Sequence, residues 1–347
     1  MTQPRAPESS SAPLSPATAR APSVSSLMAR AARLHYEFSL THQQTAAVLG
    51  VSRIKVTRLL KQARQAGIVR ITVLTDVSPF AELEERLASV AGLREAIVVP
   101  AASGRDGSAR SMLARGAASY LERVMRDGLV VAVGLSRTIA EVPSWLGNPR
   151  PARASFVSLA GALRAGGQGS GNPYQATDAL AAAFGGTAEH LHAPVIVQSH
   201  EAAQVLRADP AIARTLERAA AADVALVGVG GRDDRIEFNQ GAQLRPDEWE
   251  SLLAKGMAGD IGGRFFDAAG VEIEHDMNRR VTGLGLDEFR RIPVRLVAAS
   301  GPSKIEALAA ALRGGLITVL VTDVTTAQAL IEGIQPSHVR RSNGQLA

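Results

Sequence analysis

Residues 40–73 read LTHQQTAAVLGVSRIKVTRLLKQARQAGIVRITV, and this pattern predicts a helix-turn-helix. Thr41 is a suitable N-cap for a first helix, with Gln44 three residues later as its capping-box partner. Gly50 suits the left-handed residue that ends this helix, and Ser52 then caps a second helix. Two short helices joined by a tight turn are the layout of a helix-turn-helix.

The apolar residues of this stretch predict a small core between the two helices. Its members are Ala46, Leu49, Val51, Val56 and Leu59. A further helix is predicted before it, because Leu27, Ala31, Leu34 and Phe38 recur at helical spacing. Gly67 ends the second helix, and Ile68–Val73 is predicted to follow as a strand that could form the edge of a wing.

The exposed side of the second helix carries basic and hydroxyl side chains. We predict that six residues contact DNA: Ser52, Arg53, Lys55, Thr57, Arg58 and Lys61. Those nearest the helix start would face base edges in the major groove, where arginine pairs with guanine and hydroxyls adapt to either base. Arg58, Lys61 and Arg64 are better placed for phosphates. The alternative is a three-helix bundle with a basic face that is merely solvated.

The charge of the chain is concentrated around this stretch. The net charge is +5, and residues 26–75 alone contribute +7, from eight Arg and Lys against Glu37. The first 25 residues contribute +1, so the rest of the chain carries −3. A basic segment on a mildly acidic body is typical of a module that binds a polyanion, here double-stranded DNA.

Length and composition exclude several classes of protein. The chain has 347 residues, of which 46% are hydrophobic and none is cysteine. This excludes a disulfide scaffold, a thiolate nucleophile and cysteine-ligated metals. The longest apolar run is too short to span a membrane, and the N-terminus lacks a secretory signal. We therefore expect a cytoplasmic protein without membrane association.

The remainder of the chain alternates between strands and helices. Predicted strands are Ala96–Val99, Leu129–Val133, Ser155–Leu159, Pro194–Gln198, Val224–Gly230, Arg295–Ala299 and Thr318–Thr322. Predicted helices are Ala109–Arg126, Tyr174–Phe184, Pro210–Ala221, Asp247–Lys255, Pro302–Leu312 and Thr325–Ile331. This alternation, with nearly continuous apolar strands, predicts an α/β domain whose parallel sheet is covered on both faces.

Several stretches in this order resemble one family of bacterial proteins. They are the helix-turn-helix stretch above, VAVGLSRTIAEV, LHAPVIV, ADVALVGVG, GMAGDIGGRFFDAAG and RIPVRLVAASGPSKIEALAAALRGGLITVLVTD. Together they are similar to the SorC family of sugar-responsive transcriptional regulators. The resemblance implies a winged helix-turn-helix joined to a sugar-binding domain that resembles the NagB and ribose-5-phosphate isomerase folds. It also implies a homo-oligomer, a tetramer or a dimer.

On this basis we predict four segments. Residues 1–25 form a disordered tail, because they are rich in Pro, Ser and Ala. Residues 26–76 form the winged helix-turn-helix, and residues 78–91 an amphipathic linker helix in which Leu83, Leu87 and Val90 share a face. Residues 93–334 form the effector domain. A coiled-coil contact through the linker helix remains an alternative.

The loop after the strand Leu129–Val133 is a candidate effector site. It comprises Gly134, Leu135, Ser136, Arg137 and Thr138, and it opens a helix. Backbone N–H groups at a helix start, a hydroxyl and a guanidinium suit a phosphate or a group of hydroxyls. The resemblance implies effector contact here, although the family often has an aromatic residue and a glycine where this chain has Leu135 and Ser136. The alternative is a plain strand-to-helix turn.

Three more residues are candidates for effector binding. Asn172 follows a glycine-rich loop, where it is either an N-cap or, by resemblance, an amide that binds the sugar. Asp260 could accept two sugar hydroxyls, and the family carries an acid there; Asp267 is more typical of a turn. Lys304 follows a strand and opens a helix, and the resemblance implies that it contacts the effector. The alternative for Lys304 is a solvated lysine in a first helical turn.

An enzyme is the rival interpretation. Because the family fold resembles phosphosugar isomerases and deaminases, an activity of that kind is the serious alternative. No GxSxG elbow or P-loop is present. His190 and His192 lack an obvious third metal ligand, and Gly228–Gly230 is only a fragment of a dinucleotide motif. We therefore expect a regulator that has no catalytic residues, no cofactor and no metal, and whose operator binding responds to a sugar, sugar alcohol or sugar phosphate.

Overall fold

The computed structural model describes residues 24–69, 78–102, 107–147, 149–162, 173–233 and 245–334. The chain divides into two compact units, with the division between residues 76 and 77. We refer to them as the head and the body.

The described part of the head contains three helices. They are α1 (Val24–Ala32), which continues into one π-helical turn (Arg33–Glu37), α2 (His42–Leu49) and α3 (Arg53–Gln65). Helix α1 begins at Val24, three residues before Leu27, so Val24 and Ser25 belong to this helix and not to the predicted tail 1–25. Buried residues of the three helices form one core, with members Ala31, Ala32, Ala46, Val56, Leu59, Leu60 and Ala63. Leu49 and Val51 are half-buried and pack against it, as predicted.

The predicted caps that delimit α2 and α3 are present. The Thr41 hydroxyl accepts a hydrogen bond from the Gln44 backbone N–H, and the Gln44 side chain accepts one from the backbone N–H of Thr41. Gly50 has a φ of 65°, in the left-handed region. The Ser52 hydroxyl accepts a hydrogen bond from the backbone N–H of Lys55. The helix-turn-helix is therefore confirmed.

The predicted strand Ile68–Val73 lies mostly outside the described residues. Ile68 and Val69 are described, and they are not in a strand. Their backbone N–H groups both donate to the carbonyl of Ala63, at 2.9 and 3.2 Å. These two residues therefore close the C-terminal end of α3, since the last carbonyls of a helix lack partners within it.

Within the described residues, the body is built on a parallel sheet of seven strands. In chain order they are β1 (Glu95–Val99), β2 (Val130–Val133), β3 (Ser155–Ser158), β4 (Thr187–Glu189), β5 (Val224–Val227), β9 (Val294–Ala298) and β10 (Val319–Asp323). Their spatial order is β1-β10-β9-β5-β2-β3-β4, and every neighbouring pair is parallel. Three buried clusters of apolar side chains make up the core of the described part of the body. The predicted parallel α/β domain is confirmed.

Eleven described helices belong to the body. They are α4 (Ala81–Ala91), α5 (Gly107–Val124), α6 (Arg137–Trp145), α7 (Pro173–Phe184), α8 (His200–Ala208), α9 (Pro210–Ala220), α10 (Pro246–Ala254), α11 (Asp276–Arg279), α12 (Leu286–Arg290), α13 (Ile305–Arg313) and α14 (Val324–Gly333). In α4, the helix predicted as a linker, Leu87 is fully buried in the core of the body, and Leu83 and Val90 pack against that core. No helix in the described ranges is both long and apolar enough to cross a membrane.

One strand prediction was wrong. Pro194–Gln198 is not a strand, because Pro194 pairs only with Ala162 and Ile196 only with Val281, through isolated bridges to two different segments. The fourth strand of the sheet is β4, which has mostly exposed residues at the sheet edge. β4 was not predicted because it lacks the continuous apolar residues by which buried strands are recognised in a sequence.

A small antiparallel sheet was not predicted. It consists of β6 (Gly230–Gly231), β7 (Met257–Ile261) and β8 (Arg264–Asp267), in that order. Every residue of β7 is buried. The stretch around Asp260 contains Gly259, Gly262 and Gly263, and glycine is depleted in strands.

The order of strands places a topological switch between β2 and β5. From β2 the chain moves outward to β3 and β4, and from β5 it moves the other way to β9 and β10. The first strand of the chain, β1, lies beyond β10 at that edge of the sheet. In open α/β sheets, ligands bind outside the carboxyl ends of the strands at such a point. The loops that follow β2 and β5 are therefore the first place to look for a site.

Candidate functional site

Helix α3 presents a basic, exposed surface. The six side chains predicted to contact DNA are all exposed: Ser52, Arg53, Lys55, Thr57, Arg58 and Lys61. The helix contains no acidic residue. Among the described residues, none of its exposed Arg and Lys side chains forms an ion pair.

Two of the six residues also have roles within the head. Ser52 is the N-cap of α3, and its oxygen lies 3.2 Å from the Lys55 backbone nitrogen. The Thr57 hydroxyl donates to the Arg53 carbonyl at 3.2 Å and lies 3.2 Å from Nδ1 of His42. Thr57 thereby links α3 to the start of α2. We infer that both hydroxyls orient the helix as well as line its exposed surface.

In the body, the predicted loop Gly134–Thr138 connects β2 to α6 at the switch point. The backbone N–H of Gly134 donates to the Leu226 carbonyl at 2.9 Å, which ties the loop to β5. Ser136 is the N-cap of α6, and its hydroxyl accepts hydrogen bonds from the backbone N–H groups of Thr138 and Ile139, at 3.1 and 3.4 Å. Leu135 packs against the core, whereas Arg137 is exposed.

The segment Gly228–Gly231 follows β5 and lies against three of the predicted sites. A Cβ atom at Gly228 would come within 2.5 Å of the Ser136 hydroxyl oxygen. A Cβ at Gly230 would overlap the Asp260 carboxylate. One at Gly231 would overlap the Ser303 carbonyl oxygen and lie 3.6 Å from Cδ of Lys304. Ser136, Asp260 and Lys304 therefore converge on one glycine-rich segment.

Sequence reasoning missed this segment. It treated Gly228–Gly230 only as an incomplete dinucleotide motif and rejected it. The available signal was three glycines within four residues directly after a fully buried strand, at the edge where ligands of α/β proteins bind. Because glycine has no side chain, the segment permits close approach of groups from other segments.

Asp260 lies in β7 and its side chain is held in place. The residue is only 8% exposed, and its Oδ2 accepts a hydrogen bond from the Gly263 backbone N–H at 3.1 Å. By contrast, Oδ1 of Asp267 accepts from the backbone N–H groups of Ala269 and Val271, both at 2.9 Å. Asp267 is thus the turn residue that the sequence predicted.

Lys304 ends a 3₁₀ turn (Pro302–Lys304) that leads from β9 into α13, and it is half-buried. The turn begins at Gly301, whose φ of 106° is in a region that favours glycine. The Gly301 backbone N–H donates to the Thr326 hydroxyl at 2.9 Å. Lys304 therefore stands at the carboxyl end of a strand, as predicted. Asn172, the remaining effector candidate, lies outside the described residues.

Arg264 supports the strand pair that carries Asp260. Its guanidinium is buried, donates to the carbonyls of Leu284, Val281 and Gly283 at 3.0–3.2 Å, and pairs with Glu272 at 3.1 Å. It also donates to the Asn278 carbonyl. Burial lowers the pKa of Arg264 from its ordinary value, an effect that Glu272 opposes. These hydrogen bonds and the ion pair hold β8 against residues 272–284. Because β7 pairs with β8, they also hold β7 in position.

The two histidines noted in the sequence lie together after β4. Nε2 of His190 is 2.9 Å from Oδ1 of Asp178, and the ring of Tyr174 lies 4.6 Å from that of His190 and 5.9 Å from that of His192. Among the described residues, no group of three side chains is arranged to hold a metal ion. The histidines instead pack against an aromatic ring.

Both parts of the chain match known families. Residues 75–332 match the family model described as "Putative sugar-binding domain", and residues 24–78 match the "Crp-like helix-turn-helix domain". The transcriptional regulator LsrR of Klebsiella pneumoniae subsp. pneumoniae is 32% identical over 313 residues, which cover 88% of this chain and 92% of that protein. LsrR of Escherichia coli (strain K12 / DH10B) is 32% identical over 308 residues, covering 88% and 94%.

Solved structures are similar in fold. The "Putative Sugar-Binding Domain of Transcriptional Repressor from Vibrio fischeri" aligns with a TM-score of 0.67 and 31% identity, over 73% of this chain and 98% of that one. The full-length sorbitol operon regulator SorC from Klebsiella pneumoniae aligns with a TM-score of 0.67 and 25% identity, over 88% of this chain and 98% of that one. The latter alignment is long enough to include residues of both the head and the body.

Proposed function

Because the chain belongs to the SorC family of sugar-binding transcriptional regulators, we propose that a carbohydrate bound at the switch point of the body changes the affinity of α3 for an operator. The observation that carries this proposal is the convergence of Ser136, Asp260 and Lys304 on Gly228–Gly231. These residues come from four separate segments and meet where the fold places ligands.

The chemistry of these groups suits a polyol. The Asp260 carboxylate could accept hydrogen bonds from two hydroxyl groups, and Ser136 could contribute a hydroxyl of its own. Arg137 and Lys304 are cations near the starts of α6 and α13, where backbone N–H groups also favour negative charge. We propose that the effector is a sugar, sugar alcohol or sugar phosphate, contacted by Gly134–Thr138, Asn172, Asp260 and Lys304.

For the head, we propose that α3 enters the major groove. Arg53 and Lys55 would face base edges, and Arg58 and Lys61 would contact phosphates, with Ser52 and Thr57 at the protein–DNA contact. The support is the exposure of all six side chains and the lack of any acid in the helix. The resulting positive field suits a DNA backbone.

Coupling between effector and operator would operate by population shift. An effector can change DNA affinity only if it binds one arrangement of the protein more tightly than another. One head offers few contacts, so we propose that two heads of a dimer or tetramer bind paired half-sites. We retain residues 26–76, 78–91 and 93–334 as the proposed functional segments, and we place the regulator in the cytoplasm.

The test combines a ligand screen with DNA binding. Sugars, polyols and their phosphates are screened by thermal shift on the full chain, and each hit is then tested for its effect on operator affinity. We expect Asp260→Asn and Lys304→Met to weaken the response to the effector and to leave binding to free operator intact. Asp267→Asn is the matched control, because asparagine also forms turns. An unchanged response in both site variants would refute the proposed site.

We further propose that the protein does not catalyse a reaction on its effector. The support is that the matched relatives are named as transcriptional regulators. Incubation of the full chain with phosphosugars, followed by NMR, should show no isomerisation or deamination. Turnover that Asp260→Asn abolishes would overturn this proposal.

A further inference from the structure

One residue on the exposed side of α3 is apolar. Ile54, the second residue of the helix, is 82% exposed and is the most exposed large apolar side chain among the described residues. The other apolar residues of α3 are all buried: Val56, Leu59, Leu60 and Ala63. The helix therefore already has a complete apolar face, and Ile54 lies outside it.

Ile54 lies near the centre of the basic face. A helix advances about 100° per residue, so Ile54 points away from the side that carries Val56 and Leu60. Arg58 and Lys61, four and seven positions later, lie on the same side as Ile54. Its chain neighbours Arg53 and Lys55 are exposed as well. Ile54 therefore lies among four cations and is not part of the apolar core of the head.

We propose that Ile54 reads thymine, by packing its side chain against the 5-methyl group of one thymine in each half-site of the operator. This inference rests on the proposed function, since it requires α3 to enter the major groove. The thymine methyl is the apolar group among the base edges of that groove, and the other edges present hydrogen-bond donors and acceptors. A side chain without polar atoms cannot form hydrogen bonds with these donors and acceptors. Contact with thymine also removes from water the apolar surface that the free protein exposes.

The charge around Ile54 favours DNA over a second copy of the chain as its occupant. A symmetric contact between two copies would bring Arg53, Lys55, Arg58 and Lys61 of one copy near the same residues of the other. Like charges held close together in a contact destabilise it. A DNA duplex supplies phosphates for these cations and a methyl group for Ile54.

The test replaces single thymines with deoxyuridine, which lacks only the 5-methyl group. The full-length protein first selects a duplex from a randomised pool. Each thymine of that duplex is then replaced in turn, and affinity is measured at one fixed salt concentration. We expect one position in each half-site to lose about fourfold in affinity, which corresponds to about 0.8 kcal/mol for one buried methyl group.

The same duplexes are then tested with two variants. Ile54→Ala should bind the thymine and deoxyuridine duplexes equally well, because the side chain that senses the methyl is gone. Val48→Ala is the matched control: Val48 is a 57% exposed apolar residue of the head that lies on α2. It should keep the fourfold discrimination. Neither substitution removes buried surface from the core of the head.

The outcomes separate the two proposals. If the wild-type protein binds a selected duplex but no thymine is sensitive, or if Ile54→Ala keeps the discrimination, the role of Ile54 is refuted and DNA binding stands. If Ile54→Ala instead changes the oligomeric state seen by light scattering, Ile54 is a contact between chains and the inference is likewise refuted. If the wild-type protein selects no duplex at all, the proposed function itself fails.

Discussion

Gly228 and Gly230 are constrained by the side chains that lie against them. Each lacks room for a Cβ, Gly228 because of Ser136 and Gly230 because of the Asp260 carboxylate. Neither has a positive φ, so space and not backbone conformation is what requires glycine here. The same closeness brings the Ser136 and Asp260 side chains to one place.

We therefore expect Gly228→Ala to destabilise the body by about 1–3 kcal/mol, since the added methyl displaces the cap of α6. It should also weaken effector binding. Gly333→Ala is the control, because a Cβ there meets nothing within 4 Å. Denaturant unfolding and effector titration would measure both effects. Equal stability of the two variants would show that the space at Gly228 is not limiting.

Arg264 gives a second prediction, because it is a buried cation with five acceptors. Arg264→Met should cost about 3–5 kcal/mol of folding free energy, since it leaves Glu272 and several carbonyls without their partner. Arg279→Met is the matched control: Arg279 forms an exposed ion pair with Glu274 at 2.8 Å, and such pairs contribute about 0–1 kcal/mol. Urea unfolding of the two variants makes the comparison. A loss below about 1 kcal/mol for Arg264→Met would contradict the supporting role.

Among the helices, α2 depends on its capping box. Thr41→Ala removes the hydroxyl that accepts from the Gln44 backbone N–H at 3.2 Å. The expected cost is about 1 kcal/mol. The loss of helix stability would be measured as faster amide hydrogen exchange across residues 42–49. We also expect the affinity for operator DNA to fall. Gln43→Ala, an exposed change in the same helix, should leave exchange unaltered.

The short helix α11 should respond to pH. Its N-cap is His275, whose Nδ1 accepts from the Met277 backbone N–H at 3.1 Å and whose Nε2 is 2.9 Å from the Ser251 hydroxyl oxygen. Burial lowers the pKa of His275 below its ordinary value of 6.5. The unfolded chain therefore binds a proton more readily than the folded one, and stability falls as the pH drops below about 6.5.

We expect His275→Asn to flatten this dependence, because asparagine caps helices without titrating near neutral pH. The free energy of unfolding is measured for both proteins between about pH 8 and pH 5. The stability of the wild-type protein should fall more steeply than that of the variant. If the free energies of unfolding of the two proteins changed in parallel with pH, His275 would not contribute to the pH dependence of stability.

The complete molecule is expected to bind DNA through more than one head. If Arg58, Lys61 and Arg64 each neutralise a phosphate, two heads make about six such contacts and one head about three. The affinity should then fall about 10³-fold between about 50 and 200 mM salt for two heads, but only about 40-fold for one. A titration of operator binding against salt distinguishes them. Lys61→Gln should reduce the slope by about one for each head that is bound.

Some parts of this protein could be predicted because their signals are local. The caps at Thr41, Gly50 and Ser52 and the apolar spacing of α3 involve residues within one or two helical turns of each other. The buried strands β2, β5 and β10 are nearly continuous apolar runs. Local propensity and burial pattern depend on residues that are close in sequence, so helices and strands of this kind can be predicted from the sequence alone.

Other parts could not be predicted because they depend on distant partners. β4 is polar and is a strand only because β3 offers an open edge. Residues 257–267 contain three glycines and were not predicted as strands, yet they form β7 and β8 through their pairing with each other and with Gly230 and Gly231. Pro194–Gln198 has strand-like composition but finds no continuous partner.

The amino-acid order alone was enough to identify a basic helix-turn-helix and a parallel α/β body, because caps, periodicity and charge are properties of contiguous residues. It named Ser136, Asp260 and Lys304 separately, without a reason to place them together. The fold made them neighbours, since the sheet order sets the ends of β2, β5 and β9 side by side and the glycines after β5 leave room for all three. Proximity across a sheet is fixed by strand order, which no local pattern specifies.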